Sequence, residues 1–278
     1  MSNNEACIIE EIEASAFNRI GARPLYGVFL FEGTGQVNVD FIDYAYFGTM
    51  VLFTTPWQSI RFHTSNNTRI SALWFHADYY CIEFHKKEVA CNGLLFNNIY
   101  AQPLIRLNET SAGEIQVLLD RLRQELEFKD TYSQAVARTY LQLILALSSK
   151  AKIASQQIVE EKAVYHPVLK FKELLEKHFI KERRPSFYAE QLGMSVNTFS
   201  KKCKLQFHKS PSMLIQERVI LEAKKLIHLS LKSMKEIAAE LHFDDEHYFS
   251  RYFKKHTGIA PTGFRETVGI AQVAYSSI

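Results

Sequence analysis

Residues 237–261 read IAAELHFDDEHYFSRYFKKHTGIAP, and residues 189–211 hold a looser copy of the same pattern. AEQLGMS at 189–195 matches AAELHFD at 238–244, and FSKKCKLQFHKSP at 199–211 matches FSRYFKKHTGIAP at 249–261. Leu192 pairs with Leu241, Phe199 with Phe249, Lys204 with Lys254 and Pro211 with Pro261, at an offset of 49 residues before a single insertion and 50 after it. Two copies are too few to bury a solenoid core. Each copy reads instead as a short helix, a tight turn and a longer helix, the layout of a helix-turn-helix. In the second copy Ser233 and Glu236 form a capping box ahead of IAAEL, Ile237 and Leu241 share the buried side, and Asp244 or Asp245 caps the longer helix.

The longer helices have matching faces. Phe249 and Phe253 lie one helical turn apart and point inward, which leaves His247, Ser250, Arg251 and Lys254 outward. Phe199 and Cys203 point inward in the first copy, which leaves Asn197, Ser200, Lys201 and Lys204 outward. Neither outer face carries a large apolar residue. Such a face fits a DNA major groove, where Arg grips guanine and Asn grips adenine. Lys204, Lys254 and Lys255 sit further along and suit phosphates. A solvated surface would explain one such face; its recurrence in both copies favours groove reading. Between the copies, residues 212–229 form a helix with apolar Met213, Leu214, Val219, Leu226 and Ile227. A rigid connector of this kind holds two recognition helices at a fixed separation, and successive major-groove faces are about 34 Å apart.

Charge supports this placement. Residues 1–165 carry 14 Lys/Arg and 18 Asp/Glu, and residues 166–278 carry 19 and 12, so the chain changes from −4 to +7. An acidic part followed by a basic part points to two domains, the second facing a polyanion. The acidic opening MSNNEACIIEEIE argues against a secretory signal, and no apolar run reaches membrane-spanning length. The four cysteines show no CxxC spacing, which fits a cytoplasmic protein.

Residues 20–107 are rich in short β-type runs: LYGVFLFEG, QVNVDFIDYAYF, MVLFTTP, SIRFHT and RISALWFH. Gly33, Gly35, Gly48, Pro56 and the SNNT cluster at 65–68 read as breaks between strands of a sandwich or barrel. Ser111 and Glu114 read as a capping box, followed by Ile115, Leu118, Leu119, Leu122 and Leu126 at helical spacing. A second helix over 131–149 presents Val136, Tyr140, Leu143, Ile144 and Leu147 as one stripe. This helix pair either covers the sheet or pairs with another subunit. The resulting division is a domain over 1–150, a linker over 151–165 with room for some helix, and a helical domain over 166–278, with Pro167 opening its first helix.

RVILEAKKLI at 218–227 and IAAELHFDDEHYFSRYFKKHTGIAPTGFR at 237–265 resemble the AraC/XylS family of bacterial transcription regulators, and the resemblance is strong over about 166–268. It implies an α+β chain of two domains. The second would be an all-α domain of two helix-turn-helix units joined by a long helix, binding double-stranded DNA at promoters. Carried over residue by residue, base contacts fall at Asn197, Ser200 and Lys201, then at Glu246, His247, Ser250 and Arg251. Glu246 departs from the basic trend, since a carboxylate is repelled by phosphate and mainly suits a cytosine amino group. The N-terminal half looks loosely like the family's cupin-type barrel that senses an effector or dimerises. The resemblance also implies RNA polymerase as a partner if the chain activates, and a small molecule or a second copy as partners of the N-terminal half. His242 and His208 stand where the family often has Gly, and Gly193 and Gly258 fill those places in the opposite copies. His is among the residues tolerated in a left-handed backbone, and His208 also leaves room for a different first-unit geometry.

Two other functions compete. A cupin-type metalloenzyme would need clustered ligands, for which His63, His76, Glu83 and His85 are the candidates. They include no His-x-His pair, and no GxSxG, Walker or HExxH motif occurs, so neither an enzyme nor a cofactor or metal is expected. A ligand-independent DNA binder would not need an aromatic-rich first domain, in which Tyr26, Phe31, Phe47, Trp57, Phe62, Trp74 and Tyr79 are candidates for either core or pocket.

Overall fold

The computed structural model describes residues 6–40, 42–64, 68–80, 94–128, 130–160 and 167–270. The chain divides into two compact units, Met1–Asn98 with Pro103–Ile158, and Ile99–Gln102 with Val159–Ile278.

The first unit is an antiparallel sheet with helices. Its elements are β1 (Cys7–Glu13), α1 (Ala14–Phe17), β2 (Tyr26–Val39), β3 (Ile42–Thr54), β4 (Ile60–Thr64), β5 (Arg69–Phe75), β6 (Leu104–Arg106), α2 (Glu109–Leu126) and α3 (Thr131–Glu160). The strands run in the order β1-β5-β2-β3-β6, with β4 also paired to β2. Among the described residues β1 and β6 do not pair with each other, so the sheet is open and the expected barrel is not closed.

The runs read as short strands over 25–56 form two long ones. β2 and β3 pair from Gly27 with Thr54 to Val39 with Ile42, and Asp40 makes the turn with φ at 57°. Gly33 and Gly48 lie opposite each other inside this hairpin instead of breaking it. At Gly35 a Cβ would come within 2.7 Å of the His63 carbonyl oxygen, so this glycine serves the close approach of β4.

Both faces of the sheet are apolar. One carries Val28, Leu30, Val51, Phe53, Leu73 and Phe75 against Ile115, Leu119 and Leu122 of α2 and Ala137, Leu141, Ile144 and Leu145 of α3. The other gathers Phe29, Phe31, Phe62, Ile70 and Trp74 around Phe17 of α1. Most aromatics weighed as pocket residues therefore belong to cores, where Tyr26 stacks on Phe75 and Phe31 meets Phe62 edge-on. Two stand outside the cores: Trp57 is half-buried, and Phe47 is 62% exposed with the Arg106 guanidinium over its ring.

Two local expectations are corrected. α2 begins at Glu109, and its cap is Asn108, which accepts from the Ser111 amide; Ser111 and Glu114 lie inside the helix. The buried stripe of α3 is rotated, with Ala137, Leu141, Ile144 and Leu145 inward and Val136 and Leu143 exposed. α3 also continues through residues 151–160, within the segment read above as a linker with room for helix, and its residues 153–155 face solvent.

The second unit is helical among its described residues: α4 (Pro167–His178), α5 (Pro185–Gln191), α6 (Val196–Phe207), α7 (Pro211–Leu229), α8 (Met234–Glu240), α9 (Glu246–Thr257) and α10 (Pro261–Val268). Pro stands at the start of α5, α7 and α10, where its missing N–H costs nothing. Its core threads both halves. Phe171, Tyr188 and Phe199 meet edge-on in the first, and Phe243, Phe249, Phe253 and Phe264 form a chain of rings in the second.

Candidate nucleic-acid interface

The interface is built twice, from α5 and α6 and from α8 and α9. In the first copy Leu192 ends α5, Gly193 takes φ of 64°, and Ser195 caps α6 by accepting from the Thr198 amide. In the second copy Leu241 ends α8, His242 takes φ of 53°, and Asp245 caps α9 by accepting from the Tyr248 amide at 2.7 Å. The insertion is thus absorbed in the turn, and Asp245, not Asp244, is the cap. The Tyr248 amide bond is the main reason that the Asp245 carboxyl lies below its usual range. Ser233 and Glu236 close the capping box of α8, and the Ser233 amide likewise draws the Glu236 carboxyl down.

The far ends repeat the exchange of His for Gly. α6 ends at His208 with φ of 58°, and α9 ends at Gly258 with φ of 79°. The first turn therefore keeps the left-handed geometry, and His208 does not relax it. A Cβ added at Gly193 or Gly258 would meet nothing within 4 Å, so a side chain at these corners faces open space and only backbone strain opposes it.

Phe199, Cys203, Phe249 and Phe253 are all fully buried, which fixes the rotation of both longer helices. Burial pushes the Cys203 thiol up to about 12, as for a core sulfur. The opposite faces carry the residues singled out from sequence. Asn197, Lys201 and Lys204 are exposed on α6 with Ser200 half-buried beside them. His247, Arg251, Lys254 and Lys255 are exposed on α9, with Ser250 and Glu246 half-buried. The pairs Asn197/His247, Ser200/Ser250, Lys201/Arg251 and Lys204/Lys254 are each 50 residues apart, so each helix presents the same order of groups. α9 also places Lys254 and Lys255 in its last turn, where cations complement the helix dipole.

α7 connects the copies as a helix of 19 residues, longer by one at its start than read from sequence. Its buried residues include Leu214, Val219 and Ile227, facing both halves. Lys209 is buried just before it and donates to Glu217 at 2.7 Å.

Two of the four metal-site candidates fall on described residues. His63 is exposed on β4, and buried His76 accepts from the Asp78 amide at 3.2 Å through Nδ1; Glu83 and His85 lie outside the described residues. Among the described residues no three His, Cys, Asp or Glu side chains come together, and no helix is long and apolar enough to cross a membrane.

Comparison with known proteins bears on the second unit. Residues 188–267 match the model of a helix-turn-helix domain family. The HTH-type transcriptional regulator ExsA of Pseudomonas aeruginosa is 32% identical over 92 residues, 33% of this chain and 33% of that protein. The HTH-type transcriptional activator RhaS of Escherichia coli is 25% identical over 161 residues, 58% of this chain and 56% of that protein. The chain thus matches a third of the first relative's length and just over half of the second's. The structure of an apo ToxT variant from Vibrio cholerae aligns over 97% of this chain and 100% of its own at 15% identity, with a TM-score of only 0.42. The match over 188–267 thus gives the second unit a helix-turn-helix domain similar to those of HTH-type transcriptional regulators.

Proposed function

We propose that this chain is a sequence-specific DNA-binding regulator of transcription, reading two successive major grooves with α6 and α9. The observation that carries the reading is the fifty-residue correspondence of the two outward faces over buried aromatic rows. Asn197, Ser200, Lys201, His247, Ser250 and Arg251 are the proposed base contacts, with Glu246 placed to meet a cytosine amino group. Lys204, Lys254 and Lys255 are the proposed phosphate contacts. A metalloenzyme is not favoured, since the relatives that the chain matches are HTH-type transcriptional regulators.

In this reading the first unit is a cupin-like sensor or dimerisation domain. Exposed Val117, Tyr132, Val136 and Leu143 on α2 and α3 support a second copy as its partner. The aromatic core leaves a small recess beside Phe17, Arg23, Gln58 and Trp74, so a small-molecule effector would act by favouring one of two arrangements of the chain. RNA polymerase is the further partner if the protein activates, and the cytoplasm is the compartment in which such a regulator works. Genome-wide mapping of DNA bound in the native host tests the reading. Enrichment of a few promoter regions sharing one sequence is expected; uniform recovery of DNA would contradict it.

A further inference from the structure

KERRPS at 181–186 reads as a solvated basic loop, but its two arginines behave differently. The loop joins α4 to α5. It is held by the Lys181 and Glu182 amides donating to the His178 carbonyl, and by the Tyr188 hydroxyl donating to the Glu182 carbonyl at 2.7 Å. Arg184 points outward, with 79% of its side chain exposed. Arg183 turns inward. Its Cζ lies 3.9 Å from the centre of the Phe243 ring and 5.9 Å from that of Tyr252, and its Nη2 donates to the Leu241 carbonyl. Burial lowers the proton affinity of this guanidinium, against the pull of Tyr252, Tyr248 and Asp244.

The partners matter more than the strength of the contact. Arg183 precedes α5, the first helix of the first helix-turn-helix. Leu241 caps the end of α8, and Phe243 sits in the turn of the second, against Phe249 and Tyr252 of α9. The covalent link between the copies is α7, which ends at Leu229 and is followed by residues 230–233 in non-helical backbone. A helix with an irregular exit does not by itself set an angle. On the other side, Arg218 of α7 lies 3.9 Å over Phe179 and donates to Glu176 at 2.8 Å, fixing the end of α4 to α7. The α4–α5 segment is therefore tied to the connector by Arg218 and to the second turn by Arg183.

We propose that Arg183 is a positioning residue that sets the separation of α6 and α9, and with it the spacing between the two DNA sub-sites the chain accepts. The spacing claim rests on the groove-reading function proposed above. Arg183 itself would touch no base; a planar cation stacked on one ring and bonded to one carbonyl fixes both distance and angle, which a flexible lysine would not.

The test uses the full chain and the Arg183→Met variant, which keeps the side chain's apolar stem. The DNA is the duplex recovered by selection from a random library, remade with one base pair inserted between its sub-sites. Wild type should bind the inserted duplex far more weakly than the selected one, and Arg183→Met should shrink that preference by about tenfold. In parallel, spin labels at Leu205→Cys on α6 and Lys255→Cys on α9, with the native cysteines replaced by alanine, report their distance without DNA. The variant should broaden that distribution. An unchanged distribution together with an unchanged spacing preference would overturn the proposal. If wild type selects no sequence, the groove-reading function fails, while the distance measurement still decides whether Arg183 sets the separation. If Arg183→Met does not fold, Arg183→Lys is read the same way: a broadened distribution supports the proposal and an unchanged one refutes it.

Discussion

The two helix-turn-helix units turn the same corners with opposite residues. Gly193 and His208 serve the first, His242 and Gly258 the second, and all four adopt positive φ. The caps differ as well: Ser195 opens α6 and Asp245 opens α9. What does not differ is the pair of buried side chains one helical turn apart on each longer helix, Phe199 with Cys203 and Phe249 with Phe253. The comparison teaches that buried spacing specifies the motif, while turns and caps accept any residue that meets the local backbone requirement.

The largest expected effect follows directly. Phe199→Ala or Phe249→Ala should each destabilise the helical unit by about 3–5 kcal/mol, because each leaves a cavity in a packed ring cluster. Chemical denaturation followed by circular dichroism measures this. A loss under about 1 kcal/mol at either site would break the equivalence of the two cores.

Next in size are the proposed DNA contacts, where the faces match in order but not in chemistry. Arg251→Ala should cost about 1–3 kcal/mol on the selected site and relax preference at one position, as read by competition binding. Lys254→Ala should weaken all sequences alike and flatten the salt dependence. Equal loss on random and selected DNA for Arg251→Ala would reassign that residue to phosphate.

The caps separate the units by pH. Ser195→Ala should cost about 1 kcal/mol at any pH, because a hydroxyl does not titrate. Asp245 behaves otherwise. Its folded-state pKa is depressed, so its contribution is present above the ordinary Asp value, about 3.9, and is lost as pH falls through the lower folded value. Stability of the Asp245→Asn variant should lose that part of the acid dependence, measured by thermal melts across an acidic pH series; an unchanged acid profile would show that the carboxylate does not cap.

The smallest effect is at the corners. His242→Gly and Gly193→His should each change stability by no more than about 1 kcal/mol and leave DNA binding intact, since both positions are left-handed and open to solvent. Lost binding with intact folding in His242→Gly would give that histidine a function the comparison denies it.

The helical unit was legible because its signals are local and doubled. Ile237, Leu241, Phe249 and Phe253 recur at helical spacing, Ser233 with Glu236 marks a helix start, and the first copy repeats the buried spacing in register. The sheet was less legible. Gly33, Gly35 and Gly48 look like turn residues, yet they sit inside strands where β4 and the facing strand approach closely. β1 was missed because Glu10, Glu11 and Glu13 mask its alternation, and only pairing with β5 shows it as a strand. The Ser111–Glu114 box failed because Asn108, three residues earlier, takes the Ser111 amide and starts the helix sooner. Arg183 could not be told from Arg184 at all: the distinction lies in which ring lies across the unit, and no local pattern encodes that.

One measurement tests the central claim most directly: selection of bound sequences from a random duplex library by the full chain, repeated with Lys201→Ala and with Arg251→Ala. The account predicts a motif of two sub-sites about 10 base pairs apart, with Lys201→Ala relaxing one sub-site and Arg251→Ala the other. A motif with a single sub-site, or both variants relaxing the same positions, would contradict it.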